Sequence, residues 1–154
     1  MRDPSEAVRR PSRLSPPILF VGLGLLLLSF VSGVVLWWGQ VANSRFDGID
    51  STRLVTLQPW QLIHGTLNPF LCVFFGYLLC QHVRLGWQMK ANRLSGAAML
   101  ALMGGLILTG TGLYYGGDPS WREVLVWSHR VLGLLLPLTL AAHWIGAVQW
   151  AKKI

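Results

Sequence analysis

Four histidines, His64, His82, His129 and His143, hold most of the chemistry this chain can offer. Each lies in a long stretch nearly free of charge, a setting in which polar groups are costly and functional by default. Their spacing narrows the chemistry. His64 and His82 are 18 residues apart, which on an α-helix at 100° per residue is five whole turns; the 14 residues from His129 to His143 fall about 40° short of four turns. Each segment, if helical, puts both rings on one face, roughly 27 Å apart on the first and 21 Å on the second. If the two helices run in the same direction, His64 comes level with His129 and His82 with His143. Two facing pairs near opposite membrane surfaces suit two bis-histidine b-type haems, each a flat macrocycle between helices with an imidazole on either axial position. One metal site built from all four rings fails on distance, since zinc or copper needs its nitrogens at about 2 Å from one centre. Covalent haem attachment fails because no Cys-x-x-Cys-His occurs.

The elements that must hold these rings follow from composition. The 154 residues are 53% hydrophobic and only 12% charged, with a mean hydropathy of +0.48, too apolar for a soluble domain of this size. The net charge of +7 does not indicate nucleic acid, because the basic residues flank apolar runs and form no basic face. Uncharged stretches of 31, 30 and 24 residues separate Arg13 from Arg45, Arg53 from Arg84 and Arg93 from Asp118, and a fourth runs from Val124 to Ala151 with Arg130 near its start. Each exceeds the ~20 residues needed to cross a bilayer. The expected fold is all-α: one transmembrane domain over 1–154, an integral membrane four-helix bundle with spans near 16–39, 58–84, 94–115 and 122–150. The first run is too long for the ~7 to 15 residues of a signal-peptide core and reads as a retained helix.

Basic residues set the orientation, because they are retained on the cytoplasmic side. Arg2, Arg9, Arg10, Arg13, Arg84, Lys90, Arg93, Lys152 and Lys153 fall on one side, against Arg45, Arg53 and Arg122 on the other, which also carries Asp47, Asp50, Asp118 and Glu123. Both termini are therefore expected in the cytoplasm, with the second and fourth spans parallel. A repeat agrees with this layout: Ser32-Gly33-Val34-Val35-Leu36-Trp37-Trp38-Gly39 closes the first span and Thr109-Gly110-Thr111-Gly112-Leu113-Tyr114-Tyr115-Gly116 the third. Each copy is followed by a loop and a helix with two histidines, as a parallel duplication of a helix hairpin would give. Tandem aromatics that simply mark two interfaces would also give the match.

Neighbouring residues are consistent with haem between the helices. Gly65 adjoins His64 and Gly133 lies one turn past His129, keeping bulk away from a macrocycle, although small residues also serve ordinary helix packing in membranes. Arg130 could meet an anionic propionate or extend to the headgroups, while Arg84 reads as a topology determinant. The unequal spacings leave a mismatch of about 6 Å between levels, which helix tilt or kinks at Asn68-Pro69 and Pro137 could absorb. Cys72 and Cys80 are about 12 Å apart along one helix, too far for a disulfide. Most of the eight tryptophans lie near span ends, as an interfacial belt does.

The stretches Thr109 to Tyr115 and Trp127-Ser128-His129-Arg130-Val131-Leu132-Gly133, then His143-Trp144, resemble the last two helices of bacterial cytochrome b561-type proteins and of the cytochrome b subunits of membrane formate dehydrogenases and hydrogenases. The resemblance covers about residues 15–150, and its specific part lies in the fourth span. It implies a four-helix di-haem membrane cytochrome of the bacterial inner membrane, with His129 and His143 as haem ligands. The chain departs from that family in having no histidine in its first span, where a ligand is common. Two ligands from each of two helices look more like the core of the cytochrome b of quinol:cytochrome c reductases. The expected function is electron transfer across the bilayer between a quinone pool and a partner redox protein, as a subunit of a larger complex, with two haems b and a quinone as cofactors. The mixed-charge segment 40–58, with Arg45, Asp47, Asp50 and Arg53, is a candidate docking surface. Two alternatives stay open: a non-redox structural membrane subunit, and a small proton or metal-ion carrier using the four histidines as stations.

Overall fold

A computed structural model describes residues 14–44, 51–90 and 92–152. Among them there is no strand. The helices are α1 (Pro16–Ser44), α2 (Ser51–Leu78), a π-helical turn (Leu79–Val83), α3 (Arg84–Gln88), α4 (Arg93–Tyr115) and α5 (Pro119–Ala151). Among the described residues four stretches are long and apolar enough to cross a membrane: Pro16–Ala42, Thr56–Gln88, Arg93–Tyr115 and Pro119–Trp150. These are the four expected spans, with helix extending past the expected ends, since an apolar count stops at the hydrocarbon while hydrogen bonding carries the helix into the interface. Very few of their side chains are buried. Among the described residues Leu67, Leu102, Met103 and Leu136 are the buried hydrophobics, whereas Phe20, Leu62, Val73, Leu94, Leu108 and Leu138 are exposed, as befits helices that face lipid.

The chain groups into two compact units that divide within the second span: Pro16–Phe74, and a unit that includes Phe75–Ile154. In the first, glycines on α1 seat side chains from α2. A Cβ at Gly22 would overlap the Phe74 ring, and one at Gly39 would stand 2.5 Å from Leu57 Cδ2. The second unit uses the same device between α4 and α5. A Cβ at Gly105 or Gly112 would come within 3.0 Å of Leu132 or Leu125 respectively, the close small-residue approach by which helices pack in lipid.

Local chemistry explains the α4–α5 connection. Gly116 N–H donates to the Gly112 carbonyl at 2.7 Å, closing α4. Two residues later Asp118 caps α5, its Oδ1 accepting from the N–H of Ser120 and of Trp121 at 3.0 Å each. Pro119 occupies the first turn, where its missing N–H costs nothing. Arg122 reaches back from α5 to donate to the Leu113 carbonyl at 2.9 Å. So short a connection makes α4 and α5 antiparallel neighbours. Between α3 and α4 the backbone turns through two left-handed residues, Lys90 (φ 55°) and Asn92 (φ 44°); asparagine tolerates that conformation well and lysine less so.

Candidate imidazole sites

His82 and His143 meet within the second unit. Their ring centroids are 6.1 Å apart and their planes are inclined by 78°. His143 sits on regular α-helix in α5, but His82 lies in the π turn Leu79–Val83. A π turn bonds i to i+5 and so takes up one extra residue. The 100°-per-residue count therefore does not hold through the turn that carries His82. Single π turns concentrate at functional sites.

The other three rings share one arrangement. His64 Nδ1 lies 2.9 Å from Ser32 Oγ, His129 Nδ1 lies 2.9 Å from Thr109 Oγ1, and His143 Nδ1 lies 3.0 Å from Ser95 Oγ. In each case the residue after the hydroxyl is a glycine facing the same imidazole. A Cβ built there would stand 3.1 Å from His64 Cε1 at Gly33, 3.3 Å from His129 Cε1 at Gly110 and 3.8 Å from His143 Cε1 at Gly96. Ser32 is wholly buried. Sequence reasoning noticed Ser32-Gly33 and Thr109-Gly110 only as matched halves of a repeat, and overlooked Ser95-Gly96. A usable signal was present: fourteen residues separate Ser95 from Thr109 and fourteen separate His129 from His143. On an antiparallel pair of equal rise, that match sets both hydroxyls opposite both imidazoles.

His143 is held at a second point. Asn92 Nδ2 donates to the His143 carbonyl at 2.9 Å, and Ser95 Oγ lies 3.3 Å from the Asn92 carbonyl. The Asn92 amide rests on Gly146, where a Cβ would fall 2.7 Å from its Oδ1. The left-handed turn thus grips the main chain of His143 while Ser95 engages its ring.

The remaining expected site residues stand as follows. His64 falls in the first unit and His129 in the second. Gly65 and Gly133 are half-buried, and a Cβ at Gly133 would meet no atom within 4 Å. Both glycines lie four residues before a proline, Pro69 and Pro137. Each proline lacks the N–H its i−4 carbonyl would accept from, and its ring crowds that carbonyl, so a glycine there also has a backbone reason. The Arg130 guanidinium lies over the Trp127 ring, 5.2 Å from its centroid. Cys72 and Cys80 are free thiols. Arg2, Arg9, Arg10, Arg13, Arg45, Asp47, Asp50 and Lys153 lie outside the described residues, as does the middle of segment 40–58, residues 45–50.

The donor set is small for a bare metal ion. Among the described residues no group of three or more His, Cys, Asp or Glu could hold a metal. Two imidazoles supply two nitrogens, enough only where a macrocycle fills the other positions. His82 and His143 are the two imidazoles that could hold such a group together, their ring centroids 6.1 Å apart. No family model, curated protein or solved structure matches this chain.

Proposed function

We propose that the chain is a b-type membrane cytochrome that carries electrons across the bilayer. The observation that carries this reading is the His82–His143 pair, two imidazoles from different spans at 6.1 Å with nearly perpendicular planes. His82 and His143 would hold one haem, and the sequence offers His64 and His129 as ligands for a second, with Gly65 and Gly133 leaving room and Arg130 offering a cation to the propionates. Bound there, haem b would supply a one-electron ferric/ferrous couple, and with imidazoles as its protein ligands the chemistry would be electron transfer. The chain's own contribution is to orient the imidazoles, exclude water and tune the couple through ligand basicity and burial.

Several broader features belong to the same reading. The two spans with histidines run parallel, both termini are cytoplasmic, and the Ser32-Gly33 and Thr109-Gly110 contacts support a duplicated hairpin. A quinone pool and a partner redox subunit exchange the electrons, in a bacterial inner membrane, as in the cytochrome b561-type proteins that the fourth span resembles.

A second reading has an observation in its favour. Edge-to-face ring packing occupies the same 4.5–7 Å range, so the His82–His143 contact also suits a structural subunit with no cofactor. A reduced-minus-oxidised spectrum of protein purified from haem-supplied cells separates the two. A sharp b-type α-band with about two haems per chain by pyridine haemochrome supports the cytochrome; a colourless protein refutes it.

A further inference from the structure

We infer that Ser32-Gly33, Ser95-Gly96 and Thr109-Gly110 are positioning pairs that hold His64, His143 and His129 with the proton on Nδ1, so that Nε2 bears the lone pair. The ligand role of that lone pair rests on the cytochrome reading; the tautomer itself does not.

The argument is a count of protons. A serine or threonine hydroxyl has one hydrogen to give and two lone pairs to receive with. Each of the three hydroxyls also lies against a carbonyl one turn back on its own helix: Ser32 Oγ is 3.0 Å from the Ser29 carbonyl, Ser95 Oγ is 3.3 Å from that of Asn92, and Thr109 Oγ1 is 2.7 Å from that of Gly105 and 3.2 Å from that of Leu106. A carbonyl can only accept. Two oxygens at 2.7 Å repel unless a proton lies between them, so the hydroxyl hydrogen goes to the carbonyl. The hydroxyl oxygen is then an acceptor toward the ring, and the hydrogen in the contact is the imidazole's, on Nδ1. A neutral imidazole has one N–H, so Nε2 carries the lone pair.

The glycine is the other half of the device. Without its Cβ, the ring edge bearing Cε1 can press against the neighbouring helix while Nδ1 stays within 2.9 to 3.0 Å of the hydroxyl. The hydroxyl selects the tautomer and the glycine sets the ring's approach. The carbonyl contacts rank the three sites, with the Thr109 hydroxyl the most firmly committed and the Ser95 hydroxyl the least. A hydrogen-bond acceptor on Nδ1 also makes a metal-bound imidazole more basic, which favours the ferric state.

The test uses the full chain in detergent, 15N-labelled at histidine, with Thr109→Val to delete the hydroxyl at nearly constant volume and Thr109→Ser to restore it. In haem-free protein the nitrogen chemical shifts read the tautomer directly. Wild type should show His64, His129 and His143 protonated on Nδ1; Thr109→Val should lower that population several-fold at His129 alone, and Thr109→Ser should recover it. In haem-loaded protein Thr109→Val should raise the midpoint potential of one haem and leave the other unchanged; a tenfold change in the ferrous-to-ferric ratio at fixed poise corresponds to 59 mV for one electron. Wild-type rings protonated on Nε2, or a Thr109→Val variant identical to wild type in tautomer, would overturn the inference. A colourless wild type whose three rings are protonated on Nδ1 would uphold the positioning pairs and refute the cytochrome.

Discussion

Replacing Gly33, Gly110 and Gly96 by alanine, one at a time, gives a graded test of how the imidazoles are seated. The new methyl would stand 3.1, 3.3 and 3.8 Å from the Cε1 of His64, His129 and His143 respectively. Unstrained carbon contacts lie at about 3.5 to 4.0 Å, so His64 must retreat by about 0.4 Å, His129 by about 0.2 Å and His143 not at all. His64 cannot retreat freely, because its Nδ1 is bonded to the wholly buried Ser32 at 2.9 Å. Crowding of this kind costs about 1–3 kcal/mol, while alanine in place of glycine returns up to about 1 kcal/mol of helix propensity. Gly33→Ala should therefore destabilise by about 1–2 kcal/mol, Gly110→Ala should fall near zero, and Gly96→Ala should be neutral or mildly stabilising. Thermal unfolding in one detergent, with haem per chain measured alongside, reads both consequences, and haem retention should follow the same order. If Gly96→Ala proves the most damaging, or Gly33→Ala leaves both quantities unchanged, the ring–glycine contacts do not control the sites.

Other outcomes follow from single contacts. His143→Ala and His82→Ala should each remove one haem per chain and spare the other, read by pyridine haemochrome; loss of both or neither would refute the pairing. Gly146→Ala should displace the Asn92 amide and break its bond to the His143 carbonyl, costing about 1–3 kcal/mol; in an Asn92→Gly background, which keeps the left-handed turn, the same substitution should cost much less. Asp118→Ala, which removes the acceptor of two N–H groups at the start of α5, should lower stability by about 1 kcal/mol without altering haem content.

The legible part of this protein was that which depends on counting. Runs without charge located all four spans, since the cost of a charge in hydrocarbon is local and needs no knowledge of neighbours. The placement of every histidine in the second and fourth spans was legible for the same reason. The ring partners were harder to see. Serine and threonine are ordinary residues in membrane helices, and Ser32, Ser95 and Thr109 become distinctive only when the helix opposite is known. The matched fourteen-residue spacing on α4 and α5 would have singled out Ser95 and Thr109, but only once those helices were taken as antiparallel neighbours in a definite register.

His82 shows where counting fails. The α-helical period placed it on the face of His64, yet a π turn runs from Leu79 to Val83. Nothing in Leu79-Cys80-Gln81-His82-Val83 announces that turn. A π turn is a poor local conformation, adopted where contacts with other parts of the chain outweigh its strained hydrogen bonding, so its position is a property of the packed whole.

Amino-acid order alone thus determined that this is an all-helical membrane chain with four apolar spans and imidazoles on two of them, because transfer into lipid is nearly a sum over residues. Which atoms face those imidazoles, and that His82 and His143 come within 6.1 Å of each other, were decided by the tertiary structure. Hydrogen-bond geometry and the approach of a ring to a glycine depend on tenths of an ångström between helices, and only the register and crossing of those helices set such distances.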